Sequence, residues 1–159
     1  MGLTDDFKTA LGSWASGVCV VTTNDDGFLY GITVSSFTSV SLDPPLVLVS
    51  IAASNRMPGM IGRSRKFAVS VLRADQEEAS KYFATPGREP TKGFVVVEGD
   101  WTVLRQPIVK DAMAHLVCEL HASHPEGDHI LLVGRVVHAH TDSAATPLLY
   151  WRRGYHTLG

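Results

Sequence analysis

At 159 residues, with 45% apolar and 19% charged side chains, the chain is sized for one folded domain spanning 1–159, and its composition excludes a disordered or low-complexity protein. Fourteen Lys and Arg against sixteen Asp and Glu leave a formal net charge of −2, and Arg63, Arg65 and Lys66 are too few to follow a nucleic-acid backbone. The start, Met1 to Asp6, is acidic where a signal peptide is basic, offers no Ser or Thr at position 6 to support lipidation of Gly2, and no later apolar run approaches a membrane span. No nucleic acid, no membrane and a cytoplasmic location are therefore expected.

In chain order, Phe7, Leu11 and Trp14 recur at helical spacing and predict a helix over 5–15, with Thr4 as cap, Asp5 and Asp6 in the first turn and Gly17 at the end. Val18 to Thr23 is a β-branched strand, and Asn24-Asp25-Asp26-Gly27 is a turn. A second strand runs from Phe28 into Gly31-Ile32-Thr33-Val34-Ser35-Ser36-Phe37-Thr38-Ser39-Val40-Ser41, where hydroxyls and a glycine stand in place of aliphatic side chains and suggest turning backbone. Asp43-Pro44-Pro45 closes that segment. Leu46 to Ile51 is nearly all apolar and reads as a central strand, and Phe67 to Leu72 repeats the signal. Short helices are predicted at 56–63 and 75–84, the second with Asp75 as cap and Glu78 placed for the reciprocal bond. A Pro/Gly-rich loop follows at 85–93, then strands at 94–97, 101–104, 115–122 and 129–140, the last two joined by a turn at Pro125-Glu126-Gly127-Asp128.

Many strands with few short helices do not make an alternating β-α-β chain, and no Gly-x-Gly-x-x-Gly is present. The expected architecture is mainly β: an antiparallel barrel, closed or nearly so, with small flanking helices. A barrel this small also suits a homodimer in which a partner covers one side. Cys19 and Cys118 sit in strand-like surroundings and read as buried free thiols.

Four segments carry candidate chemistry. Thr33, Ser35, Ser36 and Ser39, with the amides around Val34, Phe37 and Val40, could donate to a bulky polar ligand, or could be a polar barrel rim. Ser50, Ser54, Asn55 and Arg56 follow a strand and precede a predicted helix, which suits a phosphate; Ser54 as a simple helix cap is the other reading. Gly127-Asp128-His129 places a histidine after a tight turn, where Asp128 could hold one imidazole nitrogen and fix the tautomer. Tyr150-Trp151-Arg152-Arg153-Gly154-Tyr155 is aromatic and basic; it could pack the barrel, cover a planar ring or meet a nucleotide phosphate. His121, His124, His138 and His140 have no spacing that matches a structural zinc site, and no metal is expected. No activated nucleophile is in view.

The order of Gly17-Val18-Cys19-Val20-Val21-Thr22-Thr23, the Gly31–Pro45 segment, Phe67-Ala68-Val69-Ser70-Val71-Leu72, Gln76, Phe83, Gly127-Asp128-His129, Gly134, Pro147-Leu148-Leu149-Tyr150 and Gly154-Tyr155 resembles the flavin reductase-like family. The resemblance implies a split antiparallel β-barrel that binds FMN or FAD and uses NADH or NADPH. It implies that Thr33, Ser35 and Ser36, with backbone from Phe37 to Val40, hold the flavin ring and ribityl chain. Ser50, Ser54 and Arg56 would lie near the flavin phosphate, His129 near the approaching nicotinamide, and Tyr155 near the outer ring face. It also implies a flavin-dependent monooxygenase component as partner. A flavin-binding or sensing module without turnover, and an enzyme like a pyridoxamine-phosphate oxidase, are the alternatives on a similar barrel.

Overall fold

The computed structural model describes residues 2–97 and 105–159. In chain order the elements are α1 (Leu3–Gly12), β1 (Ser16–Gly17), β2 (Cys19–Asp25), β3 (Phe28–Val34), β4 (Thr38–Leu42), β5 (Pro45–Ala52), α2 (Met57–Ser64), β6 (Lys66–Val71), α3 (Glu77–Ala84), β7 (Val95–Val96), β8 (Ile108–Val109), β9 (Ala114–Glu126), β10 (His129–Thr141), β11 (Leu148–Trp151) and β12 (Gly154–Thr157). The predicted strand at 101–104 lies outside the described residues. Among the described residues, no helix is long and apolar enough to cross a membrane.

Seven strands form one antiparallel sheet in the order β3-β2-β6-β9-β10-β5-β4. Its two edges, β3 and β4, are neighbours in sequence, joined only by Ser35, Ser36 and Phe37. The sheet coils around one apolar core: Val21 of β2, Ile32 of β3, Val49 and Ile51 of β5, Phe67 and Val69 of β6, and Leu132 of β10 share a single cluster. Coiling brings β3 close to β5, yet β3 and β4 are not paired, so the barrel keeps an open seam.

β2, next to the β3 edge, is buried on both faces over Cys19 to Thr23, which is why that run shows no alternation of apolar and polar residues. Cys19 and Val21 face the barrel core, whereas Val20 packs outside it with Leu72, Phe83, Val109 and Leu148. On β6, Ala68 packs outward against Ile108 and Val117. The buried Ser70 hydroxyl accepts the Val109 amide at 3.0 Å, so a polar group in this layer stays satisfied. Gly134 on β10 is required by packing: a Cβ there would lie 2.5 Å from Cζ of Phe67. Both cysteines are free and buried, as expected, and burial pushes their thiols up to about 12.

Several local expectations are corrected. The first helix begins earlier than predicted, with Gly2 as N-cap, so Thr4 lies inside the first turn; Gly17 belongs to β1 and the helix ends at Ser13. α2 starts after Arg56, and it is Asn55, not Ser54, whose Oδ1 accepts the Met57 amide at 2.8 Å. Asp75 does not cap α3, because Arg73 holds its carboxylate at 2.6 Å; Gln76 occupies the N-cap position. The ribbon of β9 and β10 extends through Pro125 and Glu126, leaving only Gly127 and Asp128 as the turn. Gly31 does not turn the chain. It pairs with Thr22 inside β3, and its missing side chain makes room for the Phe83 ring.

His115 on β9 is buried, with its ring stacked at 5.5 Å from His138 and 5.3 Å from His140 on β10. Burial first, and the two neighbouring imidazoles second, bring its pKa down to about 4. The folded state therefore holds His115 neutral where an unfolded chain, with a histidine near 6.5, would take up a proton. The contribution of His115 to stability is full above about pH 6.5 and falls between there and about pH 4, at up to about 1.4 kcal/mol per pH unit. Urea unfolding of the parent and of His115→Gln across pH 4–7.5 measures this. The parent should lose stability more steeply, and equal slopes would refute the assignment to His115.

Candidate functional site

The open seam forms a groove. Ile32, Thr33 and Val34 of β3 and the link residues Ser35 and Ser36 make one wall; Ser50, Ile51 and Ala52 of β5, with Asn55 and His129, make the other, and Phe83 and Ala84 of α3 close one end. The space is about 770 Å³, and a second hollow of about 440 Å³ adjoins it. That hollow shares Thr33, Val34, Ser35 and Ala84 and adds Val18, Ser80, Tyr150 and Tyr155. Apolar faces with a few convergent polar groups are the usual makeup of a small-molecule or cofactor site.

The hydroxyls divide into two kinds. Thr33 donates to the Ser80 carbonyl at 2.6 Å, and Ser36 donates to the Ser50 carbonyl at 2.7 Å while accepting the Ser50 amide at 3.2 Å. These two are engaged by the chain itself. Ser36 thus stitches the β3–β4 link to β5 across the seam. Ser35 is exposed, and its hydroxyl has no hydrogen-bond partner among the described residues. Tyr155 shares a 2.8 Å hydrogen bond with the buried Ser80 hydroxyl, which ties the C-terminal hairpin to α3.

His129 opens β10 directly after the two-residue turn, where Gly127 takes φ 59. The Asp128 carbonyl accepts the Ala53 amide at 2.9 Å and fixes the turn against the end of β5. Asp128 Oδ1 lies 2.7 Å from His129 Nδ1. A carboxylate only accepts, so Nδ1 carries the proton and Nε2 is left to accept in the neutral ring. The same hydrogen bond, reinforced by charge, holds the Asp128 carboxyl below the usual carboxylate range.

Of the residues singled out in the sequence, Thr33, Val34, Ser35, Ser36, Ser50, Asn55 and His129 meet in the groove, and Tyr155 lines the adjoining hollow. Phe37 packs partly buried against the barrel core. Ser39 and Val40 lie exposed on β4 and Ser54 is exposed beside α2, none of them lining either space. Arg56 also stays outside, its guanidinium 5.0 Å from the Phe28 ring and 5.1 Å from Tyr30. Ile32, Ile51, Ala52, Ser80, Phe83 and Ala84 were not read as site residues, because only the coiling of the sheet and the docking of α3 bring them there.

The fold is a split antiparallel barrel with its groove at the unpaired seam. Comparison with known proteins agrees. The description "Flavin reductase like domain" matches residues 11–159. A NADH-dependent flavin reductase from a Rhodococcus species is 41% identical over 156 residues, spanning 96% of this chain and 85% of the relative. The reductase component of 4-hydroxyphenylacetate 3-monooxygenase from Thermus thermophilus is 39% identical over 152 residues, spanning 96% and 95%. The solved NADH:FAD oxidoreductase SgcE6 of Streptomyces globisporus, in complex with NAD and FAD fragments, superposes with a TM-score of 0.90 at 31% identity, over 99% of this chain and 93% of that one. The chain belongs to the flavin reductase-like family.

Replacing Ser36 by Ala removes both hydrogen bonds across the seam and leaves the Ser50 backbone groups to find other partners. A loss of about 1–2 kcal/mol in urea unfolding is expected; an unchanged midpoint would show that Ser36 does not hold the seam.

Proposed function

We propose that the protein is a NAD(P)H-dependent flavin reductase that takes FMN or FAD as a loosely held flavin. The observation that carries this reading is the groove itself: two adjoining spaces share the Thr33–Ser35 wall, with apolar faces from Ile32, Val34, Ile51 and Phe83 and polar groups at the edges. A planar ring would lie between the apolar faces, with the backbone of the link, Ser35 and Asn55 as donors to its polar edge. A flavin held there would supply the chemistry of accepting hydride from the nicotinamide, its N5 and the nicotinamide C4 being the reacting atoms. The chain's own task is placement, since stacking two rings within reacting distance is the main contribution a protein can make to such a transfer.

His129, with its tautomer set by Asp128, offers Nε2 at the groove's open side as an orienting group for the nicotinamide. Tyr155, held by Ser80, borders the ring's other side. Thr33 and Ser36 shape the wall and leave ligand contacts to their neighbours. Arg56, beside Asn55, would need to leave its aromatic ledge to reach a flavin phosphate.

The Thermus relative's name as a monooxygenase reductase component supports a separate flavin-dependent monooxygenase as recipient of reduced flavin. A homodimer is part of the same reading. α1 buries none of its residues, and Leu3, Phe7 and Leu11 on it, with Trp14 just past its end, are 57–86% exposed, a stripe that a ten-residue helix in water needs to cover.

Anaerobic mixing with NADH or NADPH and FMN or FAD, following loss of oxidised-flavin absorbance, tests the activity. Bleaching in at least one of these pairings is expected, and its absence from all of them overturns the reading. His129→Ala should raise the KM for NADH about tenfold while the flavin Kd stays within about threefold. Unchanged NADH saturation in that variant would remove His129 from the nicotinamide site.

A further inference from the structure

Arg88 lies in the loop after α3, yet its guanidinium turns back into the body of the protein. It donates to the Gly31 carbonyl of β3 and, at 3.1 Å, to the Phe83 carbonyl at the end of α3; a further bond reaches the Pro90 carbonyl at 3.2 Å. Its centre stands 5.2 Å from the Tyr30 ring, 5.5 Å from Tyr82 and 5.2 Å from Phe83. Among the described residues its partners are carbonyls and ring faces, with no carboxylate in ion-pair reach. An arginine in this setting is held by geometry: a planar fork with divergent donors can bond carbonyls from different elements at once, and a lysine ammonium on a flexible stem lacks that fork. Its charge also suits the negative end of the α3 dipole.

The two carbonyls it joins flank the groove. Gly31 precedes the wall that begins at Ile32, and Phe83 with Ala84 forms the end contributed by α3. The joint is tight, since a Cβ on Gly31 would stand 2.8 Å from Cε1 of Phe83. We propose that Arg88 is a positioning residue that clamps the end of α3 onto β3 and so sets the width of the groove in which the flavin ring lies. This rests on the flavin reductase reading above.

Titration of FMN and of FAD by flavin fluorescence, well below the unfolding midpoint of each variant, tests the clamp. Arg88→Met should raise the flavin Kd about tenfold, and the flavin KM with it, while kcat at saturating flavin stays within about threefold. Arg88→Lys should stay within about threefold of Arg88→Met, because charge without the fork does not rebuild the joint. Gly31→Ala displaces Phe83 with Arg88 intact and should weaken flavin binding in the same way, which keeps the test decisive if Arg88→Met does not fold. A folded Arg88→Met or Gly31→Ala with the parent's flavin Kd, even at a lower melting temperature, reduces Arg88 to a structural strut and overturns the proposal. Full recovery in Arg88→Lys overturns the fork geometry. A parent protein that binds neither flavin overturns the functional reading and this inference with it; a parent that binds flavin no better than its variants overturns this inference alone.

Discussion

The unpaired seam between β3 and β4 governs the rest of the structure. Edge strands that follow each other in sequence would ordinarily form a hairpin and complete the ladder. Here three link residues separate them, and Ser36 bonds instead to the backbone of Ser50 on β5. Open edges expose backbone groups and invite unwanted pairing, a hazard that most barrels remove by full closure. This barrel leaves the gap and lines it with Thr33, Ser35, Ser36, Ser50 and Asn55. Groove residues from β3, β5, β10 and α3 are distant in sequence and meet only because the sheet coils back on itself.

The seam can stay open because the strands behind the β3 edge are over-determined. β2 and β6 are packed on both faces, and each fully buried aliphatic or aromatic side chain there contributes about 1.5–3 kcal/mol. Phe67 fills the space beside Gly134, and Phe83 fills the space beside Gly31, so both glycines serve close packing inside regular strands. A groove built on such elements keeps its shape better than one built on loops. The outer elements are held more lightly: α1 attaches through the Arg152 amide to the Gly12 carbonyl and the Trp151 indole to the Ser13 carbonyl.

The strands were legible wherever the chain carries β-branched runs, as in Cys19–Thr23, Leu46–Ile51 and Phe67–Val71. The histidine after the Gly-Asp turn and the hydroxyl cluster were legible as residue types at a polar site. Individual roles were not, because a hydroxyl can serve a ligand or a nearby carbonyl equally well, and Thr33 and Ser36 took carbonyls that only the tertiary fold supplies. Helix caps were misread for a related reason: burial of Met57, Ile61 and Phe83 places α2 and α3, and the cap side chains follow. The β11–β12 hairpin escaped notice because its turn is Arg152-Arg153 at φ 47 and 61, without the Asn-Gly signal such turns usually carry. Arg88 left no signal beyond a charge in a Pro/Gly-rich loop.

The division between engaged and available donors shapes the proposed chemistry. If Thr33 and Ser36 already serve the chain's own carbonyls, the groups that meet a ligand are backbone amides of the link, Ser35 and Asn55. Backbone donors cannot rotate away, so the wall presents a fixed edge and needs little rearrangement when a planar ring enters. The opposite wall differs in kind: His129 is about half exposed and held through Asp128, which is itself almost fully exposed. On the proposed function, the rigid wall would align the flavin ring and the solvent-facing imidazole would meet the nicotinamide. In the proposed reaction the loosely held flavin and the nicotinamide both come and go, and a fixed wall would align the flavin before the donor reaches it.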